Sequence, residues 1–182
     1  MASKALGISD IQYPYHDRRA LEVCLSQLED GMDVFCVGDE IDFPQVSRWS
    51  KGWAAEYEGT LQKHIDGNFN LWATIRQIAG PEANIHIMRS NHVDRLERYI
   101  ERYAPGLGKL RNLELETVLG YTDLGIIFHR EPFEFAPDWL LMHGDEGSLS
   151  RIAGRTAGLL AEPATRALLL DHTGGAEEVA DA

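Results

Sequence analysis

The stretch Asp33-Val34-Phe35-Cys36-Val37-Gly38-Asp39-Glu40-Ile41-Asp42 constrains the fold of this chain more than any other. Its apolar run from Val34 to Val37, closed by a glycine, reads as a strand buried on both faces, the pattern of a sheet covered on both sides. The loop fed by such a strand emerges at its carboxyl end, where the ligand sites of α/β sheets gather. Gly38 lets the backbone turn sharply, so Asp39 is presented rigidly at the sheet edge. Gly-Asp is also a common turn, and the other strand ends decide its meaning.

Upstream, Lys4 to Ser9 reads as a short strand ending in Asp10-Ile11-Gln12, with Pro14 blocking a helical continuation. From Asp17 to Leu28 the residues Leu21, Cys24, Leu25 and Leu28 recur at helical spacing until Gly31. Strand, helix and strand make a βαβ unit with parallel strands and a right-handed crossover, which puts Asp10 and Asp39 on one edge.

Residues 46–79 carry a helical pattern at Tyr57, Leu61, Ile65, Phe69, Trp72, Ile75 and Ala79. Trp49 and Trp53, in the irregular stretch before it, are read as core or cap packing rather than as a stacking platform. Asn84 to Met88 forms a third strand that delivers Ser90-Asn91-His92-Val93-Asp94, and Leu96, Tyr99, Ile100 and Tyr103 mark the next helix. A short helix over 109–120 and a strand from Leu124 to His129 come next. Glu131 to Pro137, with two prolines, reads as a turn or edge segment.

Trp139 to Met142 is another buried-type strand, ending in His143-Gly144-Asp145. Residues 150–161 carry an apolar helical face, and Ala167 to Leu170 is a last strand leading to Asp171-His172-Thr173-Gly174. Residues 1–174 are expected to form one domain and 175–182 a disordered acidic tail.

No run approaches the ~18 to 20 apolar residues of a membrane span, and the first residues lack the plan of a signal peptide. Cys24 and Cys36 sit in apolar patterns and read as small core residues, which suits a reducing compartment. The net charge of -12 opposes non-specific binding to a phosphate backbone, so bulk nucleic acid would need metal ions or a local basic patch.

Strand ends therefore offer Asp10 with Gln12, Asp39, Asn91 with His92, His143, and His172. Each has a plain reading as a turn or cap residue, but together these oxygen and imidazole donors, without paired cysteines, suit divalent cations of the manganese, iron or zinc type. The order Asp-x-Gln, Gly-Asp-x-x-Asp, Asn-His, His, Asp-His-Thr resembles the calcineurin-like metallophosphoesterase family, especially its short phage and bacterial members.

The resemblance implies a four-layer αββα sandwich with mixed sheets and two bound divalent cations. Asp39 would bridge them, Asp10 and Gln12 would lie at the first, and Asn91, His143 and His172 would complete the second. His92 would face the substrate as general acid or as a stabiliser of phosphoryl oxygens, with Asp94 as a candidate to orient it. A metal pair of this kind activates a hydroxide for in-line attack on phosphorus. The expected place of action is the cytoplasm of a bacterial or phage-infected cell.

This sequence departs from the family pattern at three points. Gln12 replaces a histidine, and its neutral amide oxygen favours Mn2+ or Mg2+ over zinc. Ser90 replaces a glycine at a position where the backbone angle matters. Gly174 stands where a second terminal histidine is expected, and the chain ends eight residues later, so the C-terminal strands of the sandwich are expected to be missing. An open sheet edge left this way would favour self-association.

The expected activity is hydrolysis of phosphodiesters or phosphomonoesters, with a nucleotide favoured over bulk nucleic acid on charge. The alternative is a degenerate, non-catalytic domain of the same fold that serves in binding or assembly.

Overall fold

The computed structural model describes residues 4–136, 139–144, 166–170 and 176–179. Strands β1 (Ala5–Ile8), β2 (Asp33–Cys36), β3 (Ile85–Met88) and β4 (Ile126–His129) form a parallel sheet in the order β1-β2-β3-β4. Because that order never reverses, right-handed crossovers carry all the connecting helices to one face of the sheet. These are α1 (Arg18–Leu25), α2 (Leu61–Ala79), α3 (Asp94–Tyr103) and the single turn α4 (Leu115–Val118).

Side chains obey the same division. Val34, Cys36, Ile85, Ile87 and Ile126 share a core with Ile65, Trp72 and Ile75 of α2, Leu96 of α3 and Leu115 of α4. The alternate residues of the strands point the other way, as the pleat requires. There Phe35, Val37 and Met88 pack against Leu141, Phe133 and Phe135 of a second sheet. That sheet runs β5 (Phe133–Ala136), β6 (Trp139–Met142), β7 (Arg166–Leu170) and β8 (Ala176–Val179), with antiparallel, parallel and antiparallel pairings. Covered on both sides, β3 is buried at all its four residues. The protein is thus mixed α/β, with helices and a second sheet on opposite faces of the parallel one.

Local chemistry sets the element ends. The Asp17 carboxylate caps α1 by accepting from the Arg19 and Ala20 amides at 2.8 and 3.1 Å. Helix α2 begins at Leu61, later than the periodicity suggests, because Gly59 takes a left-handed backbone (φ 74°) and Thr60 caps the next turn. Before it, 3-10 turns at Pro44–Val46 and Ala54–Tyr57 leave Tyr57, Trp49 and Trp53 exposed, so the reading of both tryptophans as packing residues is wrong.

The expected helix over 109–120 divides into a 3-10 turn, Arg111–Leu113, and α4, separated at Glu114 by extended backbone. Within Glu131 to Pro137 the edge strand β5 (Phe133–Ala136) forms directly after Pro132, which lies outside the ladder. Residues 176–179, inside the segment expected to be disordered, pair with β7 as β8; ladder hydrogen bonds to an existing edge override an acidic composition. The apolar face at 150–161 lies outside the described residues, as do His172 and Gly174. Among the described residues no helix is long and apolar enough to cross a membrane.

Candidate metal centre

The loops after β1 and β2 are joined by their backbones. Asp10 N–H donates to the Gly38 carbonyl at 3.3 Å, Gln12 N–H to that of Asp39 at 2.7 Å and Tyr13 N–H to that of Glu40 at 3.0 Å. Asp10, Gln12 and Asp39 all take positive φ, at 53°, 47° and 54°. Such angles are uncommon outside glycine and persist only where surroundings over-determine them, often at functional sites. Three of the expected ligands sit on this one strained pair of loops.

Gly38 (φ 98°) is required twice. Beyond the angle, a Cβ there would lie 2.8 Å from Ser90 Cβ and 2.9 Å from His143 Nδ1. The glycine lets the ends of β2, β3 and β6 close on one another. Ser90 is fully buried and is not among the residues of positive φ, so its backbone needs no glycine.

Asp39 lies at the centre and is 0% exposed, with no hydrogen-bond partner on either carboxylate oxygen among the described residues. His143 Nε2 is 3.4 Å from Oδ1 and His92 Nε2 is 3.7 Å from Oδ2. Asn91 Oδ1 lies 3.1 Å from the same His143 nitrogen. A carboxylate withdrawn from water without a partner is costly, and native proteins pair such groups or give them a cation.

The donors fit a divalent ion. His143 Nδ1–H donates to the Val37 carbonyl at 2.8 Å, which in the neutral ring turns the Nε2 lone pair toward Asp39 and Asn91. One carboxylate oxygen and one amide oxygen thus lie 3.4 and 3.1 Å from the same imidazole nitrogen. Among the described residues no three His, Cys, Asp or Glu side chains converge in this way. Asp10 and Gln12 are brought alongside by backbone pairing. The nearness of Asp10 shows in Cys36, whose thiol is pushed up by burial and then by the carboxylates of Glu40, Asp39 and Asp10.

His92 has a support the sequence reading assigns elsewhere. Its Nδ1 is 2.8 Å from Asp42 Oδ1, and Arg95 Nη2 is 2.9 Å from its Nε2. Arg95 also donates through Nη1 to Asp42 Oδ1 at 2.8 Å. Burial works to raise the Asp42 carboxyl, but the nearby His92 ring and the Arg95 charge hold it below its ordinary value. Asp94 does not orient His92; it pairs with Arg89 and, at 2.9 Å, with Arg98. Proximity in sequence points to Asp94, whereas Asp42 reaches the ring from the loop after β2.

Behind Asp39, the Tyr121 hydroxyl donates to the Glu40 carboxylate. Burial pushes Glu40 up to about 7 against the opposing effect of that hydrogen bond. The remaining histidines take structural places. His86 and His129 are 2.9 Å apart and stack beside Phe133 between the sheets, His64 is buried near Gln45, and His16 stacks on Tyr13.

Two phage proteins are similar to this chain. The "Gene 54 protein" of Mycobacterium phage D29 is 27% identical over 161 residues, and that of Mycobacterium phage L5 is 26% identical over 161 residues. Each alignment covers 86% of this chain and 62% of the phage protein, so the chain spans less than two thirds of the length of these relatives. No family model and no solved structure matches the chain. The relatives' names state no activity, and any reading of function rests on the residues themselves.

Proposed function

We propose that the chain is a metal-dependent phosphoesterase built on a metallophosphoesterase-type αββα sandwich, hydrolysing phosphodiesters or phosphomonoesters with two divalent cations, Mn2+ foremost. The observation that carries this reading is Asp39, a fully buried carboxylate with both oxygens unpartnered among the described residues and His143, Asn91 and His92 around it. The positive φ angles shared by Asp10, Gln12 and Asp39 support it, since such backbone strain clusters at functional sites.

Asp39, Asn91 and His143 would hold one cation, and Asp39 with Asp10 and Gln12 the other; His172 lies outside the described residues. Bound cations of this kind supply Lewis acidity toward a phosphoryl group and make water a competent nucleophile near neutral pH. Asp42 Oδ1 sits 2.8 Å from His92 Nδ1, off hydrogen-bond geometry, and would steer the ring so that Nε2, 3.7 Å from Asp39, faces the site. Arg95 donates to that nitrogen in the resting arrangement. A phosphoryl oxygen that drew Arg95 away would free His92 Nε2 to take up a proton from water and pass it to the leaving oxygen.

Hydrolysis of bis-p-nitrophenyl phosphate with added Mn2+ tests the reading. Turnover should depend on metal and fall by roughly 10²-fold or more in Asp39→Asn and His92→Ala. Turnover no higher than in these variants would refute it. That result would favour the non-catalytic binding module, for which the absence of three converging His, Cys, Asp or Glu side chains among the described residues speaks.

A further inference from the structure

The net charge of -12 conceals a local reversal beside the candidate centre. A groove of about 400 Å3 opens next to Asn91 and Arg95, between the segment after Pro44–Val46 and helix α3. Its lining includes Arg48, Lys51, Arg95, Arg98 and Arg102, five of the chain's 17 lysines and arginines, against one described carboxylate, Glu56. Asp42 and Asp94 already pair with Arg95 and Arg98. Arg48, Lys51 and Arg102 instead lie over aromatic rings, at 4.6 Å from Trp49 and at 5.9 and 5.5 Å from Tyr103.

The aromatic side chains are held outward. Trp49 is 72% exposed although it is the largest side chain in the groove, and Tyr99 and Tyr103 are exposed with ring centroids 4.8 Å apart. Arg95, Arg98 and Arg102 recur at helical spacing on one face of α3. At ~1.5 Å rise per residue they extend about 10 Å away from the candidate centre. That length spans about three phosphates at the ~3.4 Å axial spacing of a strand stacked in duplex DNA, and fewer on an extended single strand.

We propose that this groove binds a single-stranded polynucleotide and leads it to the strand-end site. Cations spaced along a helix suit successive phosphates, and open aromatic faces suit unpaired bases, which a duplex keeps stacked and hidden. A lone nucleotide would use only one end of the track. The fate of the strand rests on the phosphoesterase reading; its binding rests on the groove alone.

The test is fluorescence anisotropy in EDTA, with labelled oligothymidylate and oligouridylate of about fifteen nucleotides, thymidine monophosphate, and a duplex of equal length. Either oligonucleotide should bind, more tightly than the monophosphate or the duplex, with an affinity that falls as salt rises. Replacing Arg48, Lys51 and Arg102 together by Ala should weaken binding at least tenfold and flatten the salt slope. Trp49→Ala should lose roughly tenfold with little change in slope. The slope on the unsubstituted chain tests the electrostatic part without any variant.

No binding up to roughly 10⁻⁴ M, equal affinity for the monophosphate, preference for the duplex, or indifference to these substitutions would overturn the proposal. Strand binding in EDTA without hydrolysis in Mn2+ would uphold the groove and sink the phosphoesterase reading. Hydrolysis of a small diester without strand binding would do the reverse.

Discussion

His143 Nδ1 lies 2.8 Å from the carbonyl oxygen of Val37, the last residue before the Gly38 turn. A carbonyl can only accept, so the ring must donate from Nδ1, and its Nε2 is the atom turned toward Asp39 and Asn91. An outer hydrogen bond of this type orients a ligating imidazole and raises its basicity. His143→Ala should therefore weaken Mn2+ binding by at least 10- to 100-fold in a titration calorimeter. Unchanged affinity would remove His143 from the site.

Asp39 predicts a trade between stability and binding. In EDTA, Asp39→Asn removes a buried charge and should raise the thermal midpoint, by an amount equivalent to about 1 to 3 kcal/mol. Added Mn2+ should then stabilise the original chain but not the variant. A variant less stable than the original in EDTA would show that Asp39 has structural partners instead.

On the proposed reading, Asp42 would act on His92 rather than on substrate. Asp42→Asn keeps the shape of the side chain but can present an N–H to the ring, which favours the other tautomer. The expected result is a 10- to 100-fold fall in kcat, on the order of the effect of losing a positioned proton-transfer group, with KM little changed. Asp94→Asn should leave both constants nearly unaltered, since Asp94 serves Arg89 and Arg98.

Gly38→Ala tests the closure of the strand ends. The new methyl would meet Ser90 Cβ at 2.8 Å and His143 Nδ1 at 2.9 Å, on a backbone at φ 98°. Angle and crowding together should destabilise the fold by about 2 to 4 kcal/mol, read from urea denaturation. A smaller loss would mean that the ends of β3 and β6 can separate.

The paired imidazoles between the sheets predict an acid limb. Burial lowers His86, with Asp33 opposing, and burial and then His86 lower His129. With folded values depressed below the unfolded ~6.5, the unfolded chain binds more protons as pH falls. Their contribution is present above pH ~6.5 and is lost as pH drops through the folded values. Replacing both by Phe should flatten the decline in stability below pH ~6.5; an unchanged acid limb would assign it to other groups.

Much of the centre was legible because strand ends can be placed from periodicity and from the handedness of βαβ units. Those rules alone bring Asp10, Asp39 and Asn91 to one edge. The supports were not legible, because they depend on tertiary position. Asp94 is next to His92 in sequence but is held by two arginines, while Asp42 reaches it across the sheet end.

The groove was hidden in the sequence for a different reason. Tryptophan is ordinarily a packing residue, yet Ser47-Arg48-Trp49-Ser50-Lys51-Gly52 has no apolar neighbours for it to pack with. The helical spacing of Arg95, Arg98 and Arg102 was available in the sequence.

Diffraction from Mn2+-soaked crystals, recorded at the manganese edge, tests the central claim most directly. An anomalous peak should lie at about 2.0 to 2.4 Å from an Asp39 carboxylate oxygen, with Asn91 Oδ1 and His143 Nε2 among its ligands. Peaks confined to surface carboxylates, with both Asp39 oxygens still unligated, would contradict the account.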